Sequence, residues 1–155
     1  MELILWRHAE AEPGEPGQPD SERQLTAKGQ KQAAKMAEWL DSMLPSGCRI
    51  LVSPVVRTKQ TAAALGRKFK LCAELEVGTS GERILAAANW PQGREPVLIV
   101  GHQPSLGQLA ALLLTGTEQD WPIRKSSIWW IAQRVRADLP QTYVRAVMTP
   151  ELVLK

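Results

Sequence analysis

Cysteine is scarce in this chain: Cys48 and Cys72 are the only two, too few for a disulfide scaffold, and each lies beside an apolar run. They read as small buried hydrophobes of a protein kept in a reducing compartment. Long apolar runs are missing as well. Residues 1–6 carry an acidic Glu2, and residues 109–114 form the longest run elsewhere. Neither is a signal-peptide core or a membrane span, so a cytoplasmic protein without membrane contact is expected. There is no Gly-rich loop ending in Lys-Ser or Lys-Thr, and no Cys/His spacing suited to a metal, which argues against P-loop nucleotide chemistry and a structural zinc site. Neither sign of charge dominates. Nineteen Lys and Arg against 16 Asp and Glu leave +3, too mild a surplus to announce nucleic acid as a partner. Tyr and Phe occur once each, against six Trp.

What is present is the ordinary material of a globular fold. A chain of 155 residues with 44% hydrophobic content suffices for one domain over residues 1–155 with a real core. Residues 3–6, 50–52 and 97–100 are continuous apolar runs, the pattern of strands covered on both faces. Helical spacing lies between them. Ala33, Met36, Ala37, Leu40 and Met43 or Leu44 follow a candidate N-cap at Thr26. Val55, Thr58, Ala62, Leu65 and Phe69 follow Pro54, and Leu106, Leu109, Ala110, Leu113 and Leu114 follow Pro104. Strand and helix in alternation predict an α/β fold with a mostly parallel sheet. A strand is expected within residues 71–77 and a helix over about residues 81–90. Two strands, 127–135 and 143–148, are expected around Asp138-Leu139-Pro140 as a hairpin closing one sheet edge. Residues 9–24, rich in Pro and Gly, form a long loop of the kind that is usually functional. Its acids (Glu10, Glu12, Glu15, Asp20 and Glu22) read simply as solvated.

The chemistry lies just after the strands. Arg7 and His8 follow the first run; Ser53, Pro54 and Arg57 follow the second; Gly101 and His102 follow the third. Ligands of open parallel sheets bind beyond the carboxyl ends of the strands, so these groups converge if the three strands are neighbours. Two arginines supply rigid forks of donors matched to phosphate oxygens, and helix N-termini after Pro54 and Pro104 would add free N–H groups. Histidine adds the capacity for turnover. A neutral imidazole attacks phosphorus through one nitrogen while an acceptor holds the other.

These residues resemble the histidine phosphatase superfamily. Arg7-His8-Ala9 is similar to its Arg-His-Gly signature, residues 53–62 (Ser-Pro-Val-Val-Arg-Thr-Lys-Gln-Thr-Ala) to its second motif, and residues 100–104 to the motif around its second histidine. Leu25-Thr26-Ala27-Lys28-Gly29 matches the family's helix start, and Arg23 just ahead of it is similar to short phosphohistidine phosphatases of the SixA type. The resemblance implies a three-layer α/β/α sandwich around a mostly parallel sheet, phosphoglycerate mutase-like, with no cap subdomain. It also implies that His8 is the nucleophile forming a phosphohistidine intermediate, that Arg7, Arg57 and His102 hold the phosphoryl oxygens with Arg23 as a further contact, and that no cofactor or metal takes part. The substrate it implies is a histidine-phosphorylated protein or a small phosphoester.

Three departures matter. Ala9 stands where the family has Gly. Gln103 follows His102, where the acid phosphatase branch has an Asp donor. No mutase-like glutamate is evident, Glu82 and Glu76 being the nearest candidates for a general acid. The labile P–N bond of a phosphohistidine tolerates that lack. Plainer readings stand beside these: Arg23 as a solvated loop residue, Glu82 as a carboxylate complementing a helix dipole, Trp129 and Trp130 as packing on opposite faces of a strand. Trp6 would fill the core under the site. The alternatives are a small-molecule phosphomonoesterase, a phosphoglycerate mutase, a non-catalytic phosphate-binding module, and a metallohydrolase using His8, Glu10, Glu12 and His102.

Overall fold

The computed structural model describes residues 1–153. The apolar run after Met1 forms β1 (Glu2–Arg7), and Leu3 to Trp6 are buried without exception. A strand can bury both faces only in the middle of a sheet, and β1 sits there. It pairs in parallel with β4 (Val97–Gly101) and antiparallel with β5 (Ile128–Arg136). Beyond β4 come β2 (Arg49–Val52) and the short β3 (Lys70–Leu71), and beyond β5 lies β6 (Leu139–Met148). The six-stranded order is β3-β2-β4-β1-β5-β6, parallel over β1 to β4 with an antiparallel hairpin added.

Alternation along the strands divides the core into two layers. Ile4, Trp6, Val52 and Val100 face α1 (Ala27–Met43) and α2 (Val56–Ala63), where Met36, Ala37, Leu40 and Ala62 close the layer. Leu3, Leu5, Val97 and Ile99 face α3 (Gly81–Ala88) and α4 (Ser105–Thr115), meeting Ile84, Leu106 and Leu109. A short α5 (Pro150–Val153) ends the described chain on the α1 side. Trp130 joins the first layer and Trp129 the second, as expected of neighbours on a strand.

Several expectations need correction. The strand expected within residues 71–77 ends at Leu71, and a 3-10 turn over Ala73–Leu75 follows, with Leu75 turned into the core. α2 stops at Ala63; Leu65 and Phe69 pack into the same layer from the following segment, so burial outlasts the helix. The hairpin turn is Ala137-Asp138, both in the left-handed region (φ 53° and 63°), not residues 138–140. Pro140 is accommodated inside β6 opposite Val135 because β6 is an edge strand, where a missing N–H need not break a ladder. Cys48 and Cys72 are half-buried free thiols rather than core residues.

Candidate active site at the carboxyl edge

Register assembles the site. Arg7 pairs with Gly101 and Val52 with Val100, so the residues just past each strand end, His8, Ser53 and His102, are brought side by side. The His8 N–H donates to Gly101 O at 3.1 Å and the Ser53 N–H to Val100 O at 3.1 Å, extending both ladders by one bond. Arg57 enters from the first turn of α2 and is buried, as are His8 and His102. The two imidazole rings lie 5.4 Å apart between centroids, tilted by 56°.

His8 is held in one tautomer. Its Nδ1–H donates to Ala9 O at 2.8 Å, which leaves the Nε2 lone pair for another partner. Burial above all pushes its pKa down to about 3; the Ala9 carbonyl opposes it next, and the nearby His102, Arg57 and Arg7 each add a lesser downward push. For His102 burial and Arg57 lower the pKa to about 4, Arg7 adds to this, and Asp20 opposes it. Both rings are therefore neutral at physiological pH. His102 Nε2 is 2.8 Å from Ser53 Oγ, while its Nδ1 is buried without a partner. Whether the Ser53 hydroxyl donates to Nε2 or accepts from Nε2–H, Nδ1 stays a buried polar atom with no protein partner.

The arginines have unpartnered polar atoms too. Arg7 Nη1 donates to Ile123 O at 2.9 Å, and the Nε atoms of Arg7 and Arg57 are both buried and unpartnered. Burial, then the neighbouring Arg57 charge, lowers Arg7 below its ordinary value. The Nε–H edges of two guanidiniums and the Nδ1 of a neutral imidazole are thus grouped together, a set of polar atoms suited to the oxygens of a phosphoryl group.

Motif residues outside the cluster support it. Ala9 N–H donates to Thr61 Oγ1 at 3.1 Å, and that hydroxyl donates to Arg57 O at 2.7 Å, tying α2 to the segment after His8. Ala9 is not among the positive-φ residues, so this backbone does not demand glycine. Gly29 is different: a Cβ there would collide with Glu10 O. Thr26 caps α1 by accepting from Gly29 N–H at 2.9 Å, and its own N–H donates to Glu10 O at 3.0 Å. Residues 25–29 thus seat the helix directly on the chain leaving His8.

Asp20 is more than solvated. Arg57 Nη2 donates to its Oδ2 at 3.0 Å and Nη1 to its carbonyl at 2.9 Å, while Arg23 Nη1 donates to Oδ1 at 3.0 Å. Burial alone would raise this carboxyl, but the Arg57 and Arg23 guanidiniums outweigh it and hold it below its ordinary value. By occupying the terminal fork of Arg57, Asp20 leaves the Nε–H edge as the free one. The sequence signal was slight: an acid three residues ahead of Arg23 in a short 3-10 turn (Asp20–Glu22). Arg23 itself is half-buried and also donates through Nε to Glu12 O at 2.7 Å. Glu82 lies exposed in the first turn of α3, whose N-terminus is capped instead by Ser80, with Oγ accepting from Arg83 N–H at 3.2 Å. Glu76 pairs with Arg83 at 3.9 Å. Among the described residues no three His, Cys, Asp or Glu side chains gather as metal ligands; Glu10 is engaged by the Thr26 hydroxyl at 2.8 Å.

Known proteins are similar to this chain in sequence and in fold. The family model of the histidine phosphatase superfamily (branch 1) matches residues 3–80. The phosphohistidine phosphatase SixA of Escherichia coli is 31% identical over 126 residues, covering 75% of this chain and 76% of that one. The phosphohistidine phosphatase SixA homolog of Haemophilus influenzae is 33% identical over 128 residues, covering 73% and 77%. A solved structure of the protein histidine phosphatase SixA complexed with tungstate superposes over 100% of both chains with a TM-score of 0.82 at 27% identity. With sequence motifs, fold and relatives in agreement, this chain belongs to the histidine phosphatase superfamily.

Proposed function

We propose that the protein is a phosphatase that removes the phosphoryl group from phosphohistidine on a protein, through a covalent intermediate on His8. The observation that carries this reading is His8 itself: a neutral, buried imidazole whose Nδ1–H is committed to Ala9 O, beside unpartnered Nε–H donors on Arg7 and Arg57 and the unpartnered Nδ1 of His102. In the first half, the Nε2 lone pair of His8 attacks phosphorus and the P–N bond to the substrate imidazole breaks. The substrate ring, already protonated from solvent on its other nitrogen, leaves as neutral imidazole. In the second half, water attacks the phosphorylated His8, giving inorganic phosphate and restoring the lone pair. Arg7, Arg57 and His102 offset the charge on the equatorial oxygens, which is most of what phosphoryl transfer asks of a protein. No strong general acid is needed, because a protonated imidazole is a good leaving group; the exposed Glu82 has no necessary part.

The similarity to SixA proteins supports the substrate class, and the absence of a membrane-spanning helix among the described residues is compatible with a protein substrate in solution. The test compares wild type and His8→Ala on a phosphohistidine protein and on a generic phosphoester. His8→Ala should lose at least about 10⁴-fold in kcat, as loss of a nucleophile does elsewhere, and radiolabelled phosphate should be trapped on wild type as an acid-labile adduct. Equal activity of the two proteins would refute the nucleophile. Preference for the simple ester, with a large loss in Glu82→Gln, would favour a phosphomonoesterase instead.

A further inference from the structure

Beside the candidate site, a trough of about 400 Å³ opens on the α1 side. Arg7 forms one wall and so joins the trough to the phosphoryl site. Lys28 from the first turn of α1 and Arg124 and Lys125 from the segment before β5 supply three more cations; Glu10 and Glu151 are the acids. Neither acid is idle. Glu10 accepts from the Thr26 hydroxyl, and Glu151 pairs with Arg124 at 3.3 Å. Among the described residues Lys28 and Lys125 form no ion pair, so the trough has a surplus of positive charge.

The cations before β5 are carried on a rigid mount. Ser126 N–H donates to His8 O at 3.0 Å, Arg7 N–H to Ser127 O at 3.2 Å, and Trp6 Nε1–H to Ser126 O at 3.1 Å. Arg7 grips the same segment through Ile123 O. Ser126 is fully buried in the left-handed region (φ 62°), a conformation a side-chain-bearing residue keeps only when its surroundings enforce it. Arg124 and Lys125 are therefore exposed charges set at a defined distance from His8 by backbone bonds to the nucleophile's own strand end.

We propose that this trough receives acidic side chains of the phosphoprotein substrate that flank its phosphohistidine. The inference rests on the phosphohistidine reading above and adds what selects among such proteins: charge complementarity beside the reacting group, which steers encounter and register more than it adds affinity.

Two peptides with one histidine each, phosphorylated with phosphoramidate, provide the test: one has Asp and Glu flanking the phosphohistidine, the other Asn and Gln. Wild type should favour the acidic peptide in kcat/KM by about three- to tenfold, the range for one or two exposed ion pairs. The preference should lie in KM and shrink as salt rises. In the Arg124→Ala/Lys125→Ala double variant the ratio should fall to near 1, and Lys125→Glu should reverse it. Being a ratio within one enzyme, it is insensitive to partial misfolding of a variant. Equal rates on both peptides in wild type, or a preference that survives the double variant, would overturn the proposal. Turnover of the neutral peptide by wild type but not by His8→Ala tests the parent reading separately.

Discussion

The parallel half of the sheet, β1 to β4, and the antiparallel hairpin of β5 and β6 are built from the same extended backbone to different ends. In the first half Leu3 to Trp6 and Val97 to Val100 are fully buried between helical layers. Their uniform carboxyl ends aim Arg7, His8, Ser53 and His102 at one point. In the second half burial lasts only while β5 lies against β1: the pairing ends at Ala132 opposite Glu2, and beyond it Val135 and Leu139 are 69% and 66% exposed. A buried polar site needs a rigid apolar floor to hold its unpartnered donors in place. The outer hairpin carries no such groups and no covering layer, while its base fastens the cationic segment of the trough to β1.

Substitutions can break this contrast. Leu5→Ala, under the site, should destabilise by about 2–5 kcal/mol in denaturant unfolding, the range for truncating a fully buried leucine. Acidification tests the first half through its buried histidines. His8 and His102 titrate near 3 and 4 in the folded protein but near 6.5 unfolded, so the unfolded chain binds more protons between those values. Stability should be fully present above about pH 7 and fall on acidification, by at most about 1.4 kcal/mol per pH unit per histidine. Urea unfolding from pH 7.5 to pH 4 measures this, and His102→Asn should flatten the slope. Asp20→Ala frees the terminal fork of Arg57; it should lower kcat/KM about tenfold through misplacement of the guanidinium, with Asp20→Asn, which keeps an acceptor, closer to wild type. If Asp20→Ala instead tightened phosphate inhibition at unchanged kcat, its carboxylate would be a stand-in for substrate rather than a positioner. At the outer hairpin, Val135→Ser should change stability by no more than about 0.5 kcal/mol.

The strands of the first half were legible because burial on both faces demands uninterrupted apolar runs, and the groups after them because chemistry at a sheet edge must sit there. The α1 start was legible for the same local reason: Thr26 and Gly29 act within one turn. Arg57 could be placed beside the candidate site by its motif, yet its partner Asp20 is 37 residues distant in sequence, and no local pattern distinguishes an acid that reaches across from one that is solvated. The expected strand over residues 71–77 failed for a related reason. The neighbour that would have stabilised a longer strand is β2, and it ends at Val52 opposite Leu71.

By itself the sequence determined the alternation of strand and helix, the strands covered on both faces and the residues that stand just past each strand, since each follows from short-range spacing and the need to bury apolar surface; that those residues meet depends on the strand order the tertiary structure sets. Tertiary structure alone decided which hydrogen bonds those residues keep. It commits His8 Nδ1 to Ala9 O, gives Arg57 to Asp20, leaves His102 Nδ1 and two guanidinium Nε atoms without partners, and bonds residues 126 and 127 to the end of β1. These pairings depend on distances between segments far apart in the chain, and only a closed sheet sets such distances.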